Sequence, residues 1–119
     1  CIKINHQPFH SSVLIPPSGQ IMPLSVSSIS ELSQMDTAFW QDIFAGQVGD
    51  SGEKAEILLI GTGENQGFLP PTTMAQIYQA GIGVECMNSG AAARSYNVLI
   101  SENRRVLALI LLSSEAPAS

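Results

Sequence analysis

Charge is scarce in this chain. Only 13% of its 119 residues are Asp, Glu, Lys or Arg, about half the share of an average globular domain. The charge present is mostly negative, with ten acids against five bases, a net −5, and Arg104-Arg105 as the one adjacent basic pair. Nucleic-acid binding needs a basic stripe that displaces counterions from phosphates, so nucleic acid is excluded as a partner. Few charges leave a neutral surface. Such a surface is either wetted by Ser, Gln and Asn or covered by another protein surface, a homodimer contact among the candidates.

Cysteine is nearly absent too. Cys1 and Cys86 are the only two, too few and too far apart for a disulfide framework or a zinc site. Cys86 lies in an apolar stretch and reads as a small core residue with no basic neighbour to activate it. Cys1 reads as the start of a trimmed chain rather than a lipid-bearing terminus, because residues that already look structured follow at once. Any upstream targeting signal is then out of view. Long hydrophobic runs are missing: the longest, Val106 to Leu112, is strand-sized and far short of the ~20 residues that cross a bilayer. The expectation is a soluble, cytoplasmic, single-domain protein over residues 1–119. The histidines, His6 and His10, have helical i, i+4 spacing, but Pro8 between them opposes a helix, so no metal site is expected. No G-x-S-x-G elbow is present and no base stands near any serine. No cofactor and no catalytic residues are expected. Asp50, Glu53 and Glu56 read as solvated acids.

What is present is a clear change of rhythm. The first half reads as β: Ile2 to Asn5, then Phe9 to Ile15, a break at Pro16-Pro17-Ser18-Gly19, and Ile21 to Val26. Pro23 lacks an N–H, which puts that third strand at an edge or a bulge. Asp36 is a suitable N-cap for a helix over 37–45, closed by Gly46. Phe39, Trp40, Ile43 and Phe44 form its apolar face. Residues 46–55 (GQVGDSGEKA) read as a mobile surface loop. The second half alternates strand and helix: Ile57 to Ile60, a helix over 71–80, Ile82 to Met87, a helix from Asn88 or Ser89 to about Glu102, and a strand from Val106 to Leu112. Met74, Ile77 and Tyr78 are expected on the buried face of the first of these helices, and Tyr96, Leu99 and Ile100 on that of the second. Strand, helix, strand, helix, strand at these lengths predicts right-handed crossovers and a parallel sheet. The tail after Leu112 is expected to fray.

The stretch ILLIGTGENQGFLPP, residues 57–71, runs from strand into a glycine loop. A dinucleotide loop has the pattern G-x-G-x-x-G. Here Gly61 and Gly63 fit, but Gln66 holds the third glycine position and the next helix starts only after Pro70-Pro71. No Lys-Ser or Lys-Thr follows, which rules out a P-loop. The glycines are therefore expected to shape a turn at the carboxyl end of a parallel strand. Ligands in open α/β sheets do bind at such ends. Gly61, Thr62 and Gly63, together with Asn88, Ser89, Gly90 and Arg94 at a helix start, are the candidate anion or small-molecule site. Close helix packing against the sheet is the competing explanation for the small residues there. Phe68, between Gly67 and Leu69-Pro70, is the candidate partner-facing knob.

ILLIGTGENQGFLPP, GIGVECMNSGAAARSYNVLISENRRVLALIL and the early IKINHQPFHSSVLIPPSGQI together resemble the Mth938-domain family (DUF498), small proteins of unknown function related to a mitochondrial complex I assembly factor. The likeness covers most of the chain. Leu24 stands where the family often has Trp, and Asn88 where it often has Asp. The resemblance implies a three-layer α/β fold: a mixed β-sheet with a βαβαβ second half and a β-rich N-terminal half. It implies no reaction. By analogy it makes a non-enzymatic interaction or assembly module the leading expectation, with respiratory-complex assembly and a homodimer as the forms it suggests. A small-molecule or anion-binding enzyme with a pocket at the strand ends is the alternative.

Overall fold

Two strands carry the most continuous apolar sequence, and they lie at the centre of the sheet. The computed structural model describes residues 2–4, 7–9, 11–26, 28–46, 54–64 and 67–112. Strands β3 (Val13–Ile15), β4 (Met22–Pro23), β5 (Ile57–Gly61), β6 (Gly83–Met87) and β7 (Val106–Ile110) form one mixed sheet in the order β4-β3-β7-β5-β6. β5 pairs parallel with both β6 and β7, while β3 joins β7 antiparallel and β4 joins β3 antiparallel. Every residue of β7 is buried. A strand covered on both faces needs apolar residues at successive positions rather than at alternate ones.

Helices cover both faces. On one face α1 (Ile29–Ser33), α2 (Thr37–Ala45) and α3 (Pro71–Gln79) close a core with Leu14, Leu58, Ile60, Leu107 and Leu109. On the other, α4 (Ser89–Ser101) lays Ala92, Ala93 and Tyr96 against Val13, Ile15, Leu59, Val106, Ala108 and Ile110. Burying each such aliphatic side chain contributes about 1.5–3 kcal/mol. A separate antiparallel hairpin of β1 (Ile2–Ile4) and β2 (Gln7–Phe9) lies against α4. This is the three-layer mixed α/β fold expected. Asp36 caps α2 by accepting from the Phe39 N–H at 3.0 Å, and Gly46 ends that helix. Trp40 is buried as expected and meets Phe39 edge-to-face.

Several expectations need correction. The expected strand Phe9 to Ile15 is divided between two sheets, because β2 ends at Phe9 and β3 begins at Val13. The third strand shrinks to two residues, with Pro23 on the outermost strand. Helix α1 was not expected. Its start is marked by Ser28, whose Oγ accepts from the Glu31 N–H at 3.2 Å. Tyr78 is 55% exposed rather than core-facing. The surface loop falls mainly on residues 47–53, and the tail on 113–119, both outside the described residues.

Glu56 is not merely solvated. Its carboxylate accepts from Arg104 Nε at 2.6 Å and from the Arg105 backbone N–H at 3.2 Å, with Arg105 Nη2 at 3.7 Å. The Glu56 backbone also ties the amino ends of three strands: its N–H donates to Arg105 O, and its carbonyl accepts from Gly83 N. The Arg104 hydrogen bond, followed by the Arg105 N–H, holds the Glu56 carboxyl below its ordinary range. A carboxyl pKa lowered on folding stabilises the fold above the unfolded value, and that contribution disappears as pH falls through the folded one. Glu56→Gln should therefore lower Tm near neutral pH, with the difference from wild type shrinking from the unfolded carboxyl value of about 4.3 downward and vanishing only below the lower folded value. Thermal melts across pH check this. A difference that is the same at every pH contradicts it.

Candidate functional site

The carboxyl ends of β5, β6 and β7 meet the start of α4, and the candidate residues from the sequence gather at this junction. Gly61 is required there by close approach. A Cβ at this position would lie 2.9 Å from both Ser89 Cα and Ser89 Oγ and 3.0 Å from Ala92 Cβ. Gly63 has φ +101° with open space around its Cα, so its constraint is the left-handed backbone rather than crowding. Between them Thr62 is buried, donating its N–H to Met87 O at 2.8 Å and its hydroxyl to the same oxygen at 3.2 Å.

Ser89 is the centre of the junction. Its side chain is buried, donates to Leu111 O at 2.5 Å and accepts from Gly63 N at 2.9 Å. Its own N–H donates to Gly63 O at 2.8 Å. Leu111 N returns a bond to Gly61 O at 2.9 Å, and Gly67 N donates to Thr62 Oγ1 at 2.9 Å. A phosphate cradle works by turning several backbone N–H groups toward one empty point. Here the N–H groups of Thr62, Gly63 and Gly67 donate to protein oxygens. A pyrophosphate gripped by this loop would first have to break those bonds.

The start of α4 is partly engaged in the same way. Asn88 Oδ1 caps the helix by accepting from Ala91 N at 2.8 Å. The Arg94 side chain comes alongside the first turn, with Nη1 3.7 Å from where a Cβ on Gly90 would lie. Arg94 is exposed. Among the described residues its guanidinium makes no ion pair with Glu64 or Glu85; the ion pairs present join Glu56 to Arg104 and Arg105. The seven candidate ligand residues thus share one end of the sheet: Gly63 and Ser89 hydrogen-bond to each other, Gly61, Thr62 and Asn88 to neighbouring groups, and Arg94 lies at the rim.

Sequence reasoning missed Ser12. Its hydroxyl accepts from Leu112 N at 2.8 Å and donates to Leu112 O at 3.1 Å. The two buried serines, Ser12 and Ser89, therefore hold consecutive residues just past β7. No local signal marks Ser12, whose partner lies 100 positions along the chain. Cys86 is half-buried, and burial pushes its thiol pKa up, against a smaller opposite effect from the Leu69 N–H. A thiol raised in this way stays protonated at neutral pH and is a poor nucleophile. Phe68 is 66% exposed. An open groove of about 520 Å³ runs between α2 and α3, with Trp40 and Phe44 along one wall and Gln76 and Gln79 along the other. No group of three or more His, Cys, Asp or Glu side chains able to hold a metal occurs among the described residues. No helix among them is long and apolar enough to cross a membrane.

Residues 1–111 match a protein family described as "Protein of unknown function (DUF498/DUF598)". The chain is 46% identical over 56 residues to the "13 kDa major membrane protein" of Francisella tularensis, a match covering 47% of this chain and 46% of that protein. It spans about half the length of the curated relatives it matches. Its fold is similar to a Mth938-like domain of Bordetella pertussis solved by NMR, with TM-score 0.66, 27% identity, and coverage of 90% of this chain and 77% of that one. It is also similar to an outer membrane protein of Bartonella henselae, with TM-score 0.65, 25% identity, and coverage of 92% and 85% respectively.

Two substitutions test the junction. Ser89→Ala leaves the Leu111 carbonyl and the Gly63 N–H without the hydroxyl between them, and should cost about 1–3 kcal/mol for each buried group left unsatisfied. Gly61→Ala forces a methyl into Ser89 and Ala92 and should cost about 1–3 kcal/mol by overpacking. Denaturant titration measures both. Wild-type stability in either variant contradicts the packing described.

Proposed function

The chain belongs to the DUF498/DUF598 family, whose function is unknown, and on that premise we propose that it is a non-enzymatic protein-interaction module serving the assembly of other proteins. The observation that carries this reading is the Phe68 ring, 66% exposed on the segment that enters α3. A large aromatic held outward on a backbone fixed on both sides is the kind of anchor that dominates protein interfaces. On one side Gly67 N is tied to Thr62 Oγ1, and on the other Leu69 is buried. The neutral surface, with only 13% charged residues, fits the same role. So does the inward use of the loop amides, which leaves the strand ends built as a joint.

The relatives named as membrane proteins support a membrane-associated partner. Assembly of respiratory complexes is the specific form that the family resemblance suggests. The rival reading is an anion-binding site at the start of α4, favoured by the exposed Arg94 guanidinium beside Gly90.

Phe68→Ser should abolish crosslinking to the partner in the source cells while leaving stability within about 0.5 kcal/mol of wild type, as expected for an exposed position. Sedimentation of the purified protein distinguishes a second copy from a different protein as that partner. The reading fails if Phe68→Ser keeps the crosslink. It fails also if phosphate or phosphometabolites raise Tm in wild type and not in Arg94→Ala, which would establish the anion site instead.

A further inference from the structure

One polar atom at the groove between α2 and α3 is left without a protein partner. Trp40 lines that groove and is only 5% exposed. A buried tryptophan ordinarily directs its N–H at a hydrogen-bond acceptor. Among the described residues none accepts from Trp40 Nε1. Nor is this nitrogen sealed in, because no sealed side-chain nitrogen or oxygen among them lacks a partner. The indole N–H therefore opens where Trp40 meets free space, on the groove. It donates and cannot accept, so it marks a point where an acceptor atom of a bound molecule belongs.

The rest of the groove limits what that molecule is. Its volume, about 520 Å³, falls in the range of small-molecule sites, roughly 300–1,000 Å³. On α2 the rings of Trp40 and Phe44 stand one turn apart, with centroids 6.5 Å from each other. Together with Met35 they make an apolar wall. Phe39 meets the Trp40 ring edge-on at 5.2 Å and holds its plane. On α3, Gln76 and Gln79 line the facing wall. Both are exposed, and their amides bond to no described residue. A side-chain amide offers donors and an acceptor together. The described residues lining the groove include no ionisable side chain. A charged ligand would give up hydration here with no opposite charge to meet it.

We infer that this groove binds a small uncharged molecule, a flat apolar ring that carries an amide, as in a cyclic lactam. Its carbonyl oxygen accepts from Trp40 Nε1. Its ring lies along Phe44 and Met35, and its amide N–H reaches the side chain of Gln76 or Gln79. The site is separate from the Phe68 contact and goes beyond the interaction module, so either can fail without the other.

The test uses the whole chain labelled for NMR. Trp40 is the only tryptophan, so the protein gives a single indole N–H resonance. Carbostyril, an uncharged lactam of two fused rings, should move that resonance downfield and saturably. Quinaldate, the same rings bearing a carboxylate, should leave it in place. Gln76→Ala, at an exposed position, should weaken carbostyril by about fivefold, the worth of one hydrogen bond. Trp40→Phe keeps a ring and removes the N–H, and should weaken it at least as much, read from the ligand's own resonances. Where that variant does not fold, Gln76→Ala decides. The inference is overturned if carbostyril leaves the indole resonance unmoved, or if quinaldate moves it equally. It is overturned also if Gln76→Ala binds carbostyril as tightly as wild type.

Discussion

One serine hydroxyl ties together the part of the molecule that an α/β fold ordinarily leaves open for ligands. Ser89 Oγ bridges the turn after β5 and the residue after β7, while its N–H fastens the start of α4 to the same turn. This bridge needs α4 to come very close to β5, and Gly61 makes that approach possible by lacking a Cβ. The alanines at 92 and 93 continue the approach along the helix, so that α4 lies flat on the sheet. A buried hydroxyl with both its donor and its acceptor functions used adds orientation to a junction that apolar contact alone would leave free to slide. The strand ends thereby become a fixed joint.

This arrangement accounts for glycines that would otherwise suggest a nucleotide loop. Glycines after a parallel strand serve two purposes in α/β proteins. They let an anion approach the backbone, or they let a helix approach it. In this chain the neighbour of Gly61 is a helix residue. The amides of the following turn are directed to Met87 O and Ser89 Oγ. Outside the joint, among the described residues, lie an exposed aromatic ring and a neutral groove between α2 and α3.

Much of the fold was legible in the sequence because local signals and global packing agreed. The apolar run over 57–60, the capping Asp36, Gly46 at the end of α2 and Pro23 at the edge each report a constraint satisfied by near neighbours. Where the readings failed, the deciding constraint lay elsewhere. Tyr78 stands one turn beyond Met74, so periodicity allowed it inward. The apolar stripe of α3 is narrow, however, and only Ile77 is fully covered. Ser28 and Glu31 form the S-x-x-E pattern of a helix start, a signal present at α1 but attached to a helix of only five residues. The role of Ser12 depends on a partner 100 positions away, and that of Ser89 on one 22 positions away. Hydrophobic periodicity carries no information about either bond. The candidate residues at the strand ends share one neighbourhood, since a βαβ unit dictates it. The direction of each N–H could be learned only from the folded chain.

Backbone hydrogen exchange at Thr62, Gly63 and Gly67 tests the central claim most directly. If their N–H groups are held by Met87, Ser89 and Thr62 as described, they should exchange slowly in the free protein, and phosphate or pyrophosphate should leave their rates unchanged. Rapid exchange that slows on adding either anion would contradict the account, because it would mean that these amides stand open and close on a ligand.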